Sequence, residues 1–132
     1  MTLVETSAVV AVLLEEPEGP SLLAQMNNAE RPVMTVVGAV EAALSVGRAI
    51  KDHSLSRELV SDFLDKAGIE VVGIGGDLYD DVVRAYARYG KGTGHGAALN
   101  FGDCFSYAFA RRAGTPLIYK GNDFAQTDIA AS

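Results

Sequence analysis

Glu5, Glu41, Asp103 and Asp123 each stand beside an apolar run, at places where folding alone would not put a carboxylate. Gathering four acids at one buried edge without matching cations costs desolvation and mutual repulsion. The set makes chemical sense as a cage for a hard divalent cation. Oxygen-only ligands favour magnesium or manganese over zinc, because His95 and Cys104 have no partners at zinc-ligand spacing. Such a cation, or a pair of them with substrate bound, would hold a phosphate oxygen and acidify a water for in-line attack on phosphorus. Glu41 could align that water or act as its base. Thr6 and Ser7 follow Glu5 directly, and their hydroxyl and N–H groups could orient a ligand or simply cap a helix.

The elements that must position these acids alternate in type. Thr2 to Val4 is a short β-prone segment that stops at Glu5, and Thr6 or Ser7 offers an N-cap for the apolar stretch Ala8 to Leu14. Pro17, Gly19 and Pro20 break the chain before a short helix from Ser21 to Asn28. Val33 to Val37 is β-branched enough for a strand, and the helix after it runs to about Ile50 with Val40, Ala43 and Leu44 on one face. A helix from Ser54 ends at Gly68, Ile69 to Ile74 reads as a strand, and Asp77 to Tyr89 is amphipathic. Gly90 to Ala98, with four glycines and His95, is a loop and a candidate flap. Phe101 to Ala113 is helical, Gly114 stops it, Thr115 to Tyr119 is a strand and Gly121 to Asp123 a turn.

Alternating strands and helices predict an α/β fold, a parallel sheet covered on both faces with its site beyond the carboxyl ends of the strands. Glu5 then ends the first strand, Glu41 lies in the first turns of the helix after the second, and Asp123 follows the last strand. Asp103 reaches the same edge if its helix begins there. Each acid also has a plainer reading: a solvated strand end for Glu5, a favourable helix-dipole contact for Asp103, turn chemistry beside Gly121 and Asn122 for Asp123. Glu41 resists such a reading, because it is surrounded by Val37, Gly38, Ala39, Val40, Ala42, Ala43 and Leu44.

With 132 residues, 48% of them hydrophobic and 21% charged, the chain is sized for one domain spanning 1–132 with a real core. A lone cysteine and an N-terminus without signal-peptide character suggest a cytosolic protein, and no apolar run approaches the roughly 20 residues of a membrane span. The net charge of −6 argues against wholesale phosphate neutralisation. A local track remains possible from Arg48, Lys51, Arg84, Arg88, Lys91, Arg111, Arg112 and Lys120, with Lys120 near the acids through its neighbour Asp123. An acidic chain also suits a basic protein partner. Cys104, Phe105, Tyr107 and Phe109 read as core.

The opening Leu3-Val4-Glu5-Thr6-Ser7-Ala8-Val9-Val10-Ala11, the embedded Glu41, the segment Leu99-Asn100-Phe101-Gly102-Asp103-Cys104-Phe105-Ser106-Tyr107-Ala108 and the ending Lys120-Gly121-Asn122-Asp123-Phe124 together resemble PIN-domain ribonucleases of the VapC toxin type. The resemblance covers nearly the whole chain and is most specific from Leu99 to Ala108. It implies a three-layer α/β/α domain around a mostly parallel sheet, and an endoribonuclease that needs Mg2+ or Mn2+. It also implies a cognate VapB-type antitoxin whose tail enters the active site, and a homodimer formed through the early helices. Leu13, Leu14, Leu22, Leu23 and Met26 could supply that dimer face or fill the chain's own core. Carried over by motif, the metal ligands and catalytic residues are Glu5, Glu41, Asp103 and Asp123, with Asn122 an alternative to Asp123 at the last position.

One position departs from the family pattern: its first acid is normally aspartate, and Glu5 stands there. The extra methylene moves the carboxylate by about 1.5 Å, and a shift of that order can cost roughly 10²-fold in rate. The alternative reading is therefore an attenuated PIN domain that binds RNA or antitoxin without cutting. A phosphatase or receiver domain would also bind magnesium at strand ends, but needs a strand-end aspartate, and Glu5 is a poor match.

Overall fold

The computed structural model describes residues 1–131. Its elements are β1 (Thr2–Val4), α1 (Thr6–Leu13), α2 (Gly19–Asn28), β2 (Pro32–Thr35), α3 (Val36–Ile50), α4 (His53–Ala67), β3 (Glu70–Val72), α5 (Tyr79–Tyr89), α6 (Phe101–Ala113) and β4 (Leu117–Ile118). Short 3-10 turns cover Gly76–Leu78, Phe124–Gln126 and Asp128–Ala131. The four strands form one sheet in the order β3-β2-β1-β4, and every pairing is parallel.

Strand periodicity divides the core into layers. Val4, Met34 and Ile118 pack with Ala8, Val9, Val46 and Leu64 of the α1 to α4 layer. Their neighbours Leu3 and Val33 turn the other way, onto Ala110 of α6. This alternation, with both faces buried, is what a covered parallel sheet requires. A further cluster of Ala85, Tyr89, Leu99, Cys104, Tyr107 and Phe124 holds α5 and the last turns against α6. Tyr107 donates to Asp128 Oδ1 at 2.5 Å, and the Asp128 N–H donates to the Tyr89 hydroxyl at 3.3 Å. The end of the chain is thereby fastened beneath the helix that carries Asp103.

Several boundaries differ from the sequence reading, each for a local reason. The cap of α1 is Glu5 itself, whose carboxylate accepts from the Ser7 N–H at 2.8 Å, so the helix begins at Thr6 rather than Ala8. β2 stops at Thr35 rather than Val37, because the Thr35 hydroxyl accepts the Gly38 N–H at 3.0 Å and starts α3 two residues early. α2 starts at Gly19 with Pro20 in its first turn, where a missing N–H costs nothing. β3 is only three residues long at an exposed sheet edge, shorter than Ile69 to Ile74.

Gly47, a poor helix former in the middle of α3, lies where α4 approaches most closely. A Cβ there would overlap the His53 ring and stand 2.9 Å from Ser56 Oγ. Leu22 and Met26 are buried in the chain's own core, and Leu13 and Leu14 pack partly against it. Among the described residues no helix is long and apolar enough to cross a membrane.

Candidate active site

Three of the four expected acids line one cleft of about 410 Å³ at the carboxyl edge of the sheet: Glu5, Glu41 and Asp103, with Thr6, Ser7, Asn100 and Arg48 among the other walls. Each is brought there by a different device. β1 sits at the point where strand order reverses, between β2 and β4, and the residue that follows it is Glu5. Glu5 is only 2% exposed. Its carboxylate is held by the Ser7 N–H and the Ser7 hydroxyl, and that hydroxyl in turn accepts the Lys120 N–H at 2.9 Å, stitching the end of β4 to the start of α1.

Glu41 reaches the cleft from the second turn of α3. The Thr6 hydroxyl lies between the Gly38 carbonyl (3.0 Å) and Glu41 Oε1 (3.3 Å), tying α1 to α3. The Glu41 carboxylate rests on α6 at Gly102, whose missing side chain makes the contact possible: a Cβ there would overlap both carboxylate oxygens. Asp103 is fixed by a reciprocal capping box. Its N–H donates to Asn100 Oδ1 at 2.8 Å and its Oδ2 accepts the Asn100 N–H at 3.0 Å.

Asp123 is exposed and precedes the 3-10 turn at Phe124. It is not a wall of the cleft, and it bears on the site through its charge, which raises the pKa of Asp103.

The electrostatics match a cluster of like charges out of water. Burial, opposed by the Ser7 hydrogen bonds and reinforced by Asp103 and Glu41, pushes Glu5 up to about 7. Burial also raises Glu41, with Asp103 adding to the rise and Thr6 and Arg48 opposing it. Asp103 rises through burial and the nearby Asp123, against the hydrogen bond from Asn100. Three carboxylates are therefore held at a net cost that a bound cation would relieve.

Among the described residues no three acidic, histidine or cysteine side chains stand close enough together to form a ready-made metal site. The acids face one cleft but each is engaged by its own local donor: Glu5 by Ser7, Glu41 by Thr6, Asp103 by Asn100. Their chemistry fits a hard divalent cation in the magnesium and manganese class. Each of these hydrogen bonds uses one oxygen of its carboxylate and leaves the other for a cation, and drawing the three acids into one ligand sphere requires them to move closer together.

Other expectations fare differently. The Lys120 side chain turns away from the acids to pair with Glu16 and with Glu18 (3.1 Å), leaving its backbone N–H as the part that touches the site. Adjacency to Asp123 along the chain suggests otherwise, but the carboxylates that claim this ammonium come from the far end of the sequence. Asn100 and Gly102 have roles that their residue types announce. The Asn-x-x-Asp spacing is a capping signal, and a glycine in the first turn of a helix marks a close approach.

Residues 2–130 match the family model described as PIN domain. Ribonuclease VapC30 of Mycobacterium tuberculosis is 39% identical over 127 residues, covering 96% of this chain and 95% of the relative. Ribonuclease VapC of Mycolicibacterium smegmatis is 38% identical over 128 residues, 97% of each chain, and a VapC ribonuclease of Rhizobium meliloti is 36% identical over 141 residues, 98% of this chain and 99% of that one. The fold is shared with the crystal structure of Mycobacterium tuberculosis VapC20, described as a Sarcin-Ricin loop cleaving toxin, at a TM-score of 0.74 and 13% identity over 95% of this chain and 93% of that one. A toxin–antitoxin complex from Klebsiella pneumoniae aligns at a TM-score of 0.65 and 16% identity, over 95% and 91% of the two chains. The chain belongs to the PIN-domain family and, within it, to the VapC ribonucleases.

Proposed function

We propose that this protein is the toxin of a toxin–antitoxin pair, an endoribonuclease that hydrolyses RNA phosphodiester bonds with Mg2+ or Mn2+ held by Glu5, Glu41 and Asp103, while Asp123 adds negative charge beside them. The observation that carries the reading is the convergence of Glu5, Glu41 and Asp103 on one cleft with all three pKa values raised. Membership among the VapC ribonucleases supplies the substrate class and the antitoxin partner. A cation bound there supplies Lewis-acid charge for a phosphate oxygen and acidifies water. The protein's own part is to hold the ligands and align the nucleophile. Glu41, fixed between Thr6 and Gly102, is the residue placed to orient a water or take its proton. Thr6 and Ser7 line the same space at the N-terminus of α1, where the Ser7 N–H is already engaged by the Glu5 carboxylate.

A second reading rests on one specific observation. Glu5 serves as the helix cap, its carboxylate accepting from both the N–H and the hydroxyl of Ser7. If that engagement outlasts metal binding, the chain is an attenuated module that binds RNA or antitoxin. The test is cleavage of total cellular RNA by antitoxin-free protein in Mg2+ or Mn2+, for the wild type and for Glu5→Asp. Cleavage by the wild type that chelator abolishes supports the nuclease. An inert wild type whose activity appears in Glu5→Asp supports the attenuated module.

A further inference from the structure

Arg48 is, among the described residues, the only lysine or arginine lining the acid cleft. It lies seven residues beyond Glu41 on α3, two turns along the same helix face and about 10 Å along the axis. Most of the other basic residues that could meet a polyanion are already engaged by carboxylates. Arg84 pairs with Asp80, Arg88 and Arg111 with Asp128, Arg112 with Asp77 and Asp81, and Lys120 with Glu16 and Glu18.

Arg48 is held differently. Its guanidinium donates to the Ser45 hydroxyl at 3.3 Å rather than to an acid, and its charge draws Glu41 down only in part, since Glu41 stays raised. It does not close the cleft with an ion pair. Its other donors have no protein partner among the described residues, and the planar fork suits a phosphate.

We propose that Arg48 is the substrate-positioning residue of this cleft, binding an RNA phosphate that flanks the scissile one and fixing the strand's path over Glu41. The inference rests on the nuclease reading of the same cleft. In a chain of net charge −6 with three acids in its site, a cation at the rim favours the approach of a polyanion. Arg48 binds through a backbone group of the RNA, so it sets affinity and register rather than base preference.

The experiment has two arms, so that this inference and the nuclease reading can fail separately. The first measures initial cleavage rates in Mn2+ against the concentration of total cellular RNA for wild type, Arg48→Ala, Arg48→Lys and Arg84→Ala. The second measures binding of a fluorescein-labelled mixed-sequence RNA of roughly 20 nucleotides to Asp103→Asn, with and without Arg48→Ala, across a salt series.

Arg48→Ala is expected to raise the half-saturating RNA concentration about 3- to 10-fold, to leave the saturated rate within about twofold, and to flatten the log–log salt dependence of binding by about 0.7, one phosphate contact. Arg48→Lys should keep the salt slope while losing part of the affinity, and Arg84→Ala should change nothing. Unchanged affinity and salt slope in Arg48→Ala would overturn the proposal. So would a fall in its Mn2+ affinity that accounts for the lost activity, because Arg48 would then act only by supporting Glu41. An uncut RNA that still binds in an Arg48-dependent way would uphold this inference and remove the nuclease reading.

Discussion

The carboxylate of Glu41 on α3 occupies the space that a side chain at Gly102 on α6 would fill, since a Cβ built there overlaps both of its oxygens. One glycine thus decides whether an acid from the second strand–helix unit can meet an acid from the last helix. Gly102→Ala should disable the site while α6 persists, since alanine is the better helix former by roughly 1 kcal/mol. Misplacement of Glu41 by about an ångström is expected to cost on the order of 10²-fold in turnover. Steady-state cleavage alongside circular dichroism checks this, and a Gly102→Ala protein with wild-type turnover would show that Glu41 has no positional role.

Burying Glu5 links stability to pH. Its carboxyl titrates at an ordinary 4.5 when unfolded and at about 7 in the fold, so between those values the folded chain holds a proton that the unfolded chain has released. Unfolding is then favoured progressively as pH rises from about 4.5 to 7, by about 3 kcal/mol for this group in the metal-free protein. Glu41 and Asp103 are raised as well and act with the same sign. Urea melts of wild type and Glu5→Gln without metal should diverge across this window, with Glu5→Gln relatively more stable at about pH 7.5 than at about pH 5. Added Mn2+ should then stabilise the wild type preferentially.

Ser7 opposes that rise, through its hydroxyl and its N–H on Glu5, while accepting the Lys120 N–H. Ser7→Ala is expected to cost about 1–3 kcal/mol by leaving buried polar groups without a partner and to move the pH-dependent loss to higher pH. Equal pH profiles for Ser7→Ala and the wild type would show that the Glu5 proton is set elsewhere.

Thr35 separates stability from chemistry. Its hydroxyl caps α3 and the residue is 1% exposed, but it is not a wall of the cleft. Thr35→Ala should cost about 0.5–2 kcal/mol with activity per folded molecule nearly kept, as chemical denaturation and turnover well below the melting transition would measure.

Much of this arrangement is legible in the residues because it depends on short-range patterns. β1 ends at Val4 and α6 runs Phe101–Ala113 as the apolar periodicity and the Gly114 stop imply; Glu5 and Glu41 line the cleft where parallel-sheet logic places them and Asp103 joins them because α6 begins at Phe101, whereas Asp123, expected at the same edge, is not a wall of it. What escapes a linear reading depends on partners distant in sequence. Lys120 reads as a site cation until the entry to α2 brings Glu16 and Glu18 to it. Glu5 reads as a ligand or a solvated strand end, and its use of Ser7 to cap α1 is settled by backbone geometry. Val36 and Val37 have strand propensity, overridden by a single capping hydroxyl at Thr35. Arg48 stands among several candidate cations along the chain, and it takes the folded α3 face to single it out.

The most direct measurement is RNA cleavage and calorimetric Mn2+ binding by the antitoxin-free wild type and Asp103→Asn, each with and without chelator. Asparagine keeps an oxygen able to accept the Asn100 N–H, so α6 and its cap should survive. The expected result is metal-gated cleavage by the wild type, lost by at least about 10²-fold in the variant together with weakened Mn2+ binding, at unchanged helix content. Cleavage that persists in chelator, or an Asp103→Asn protein that cuts RNA at the wild-type rate, would contradict a catalytic metal in this cleft.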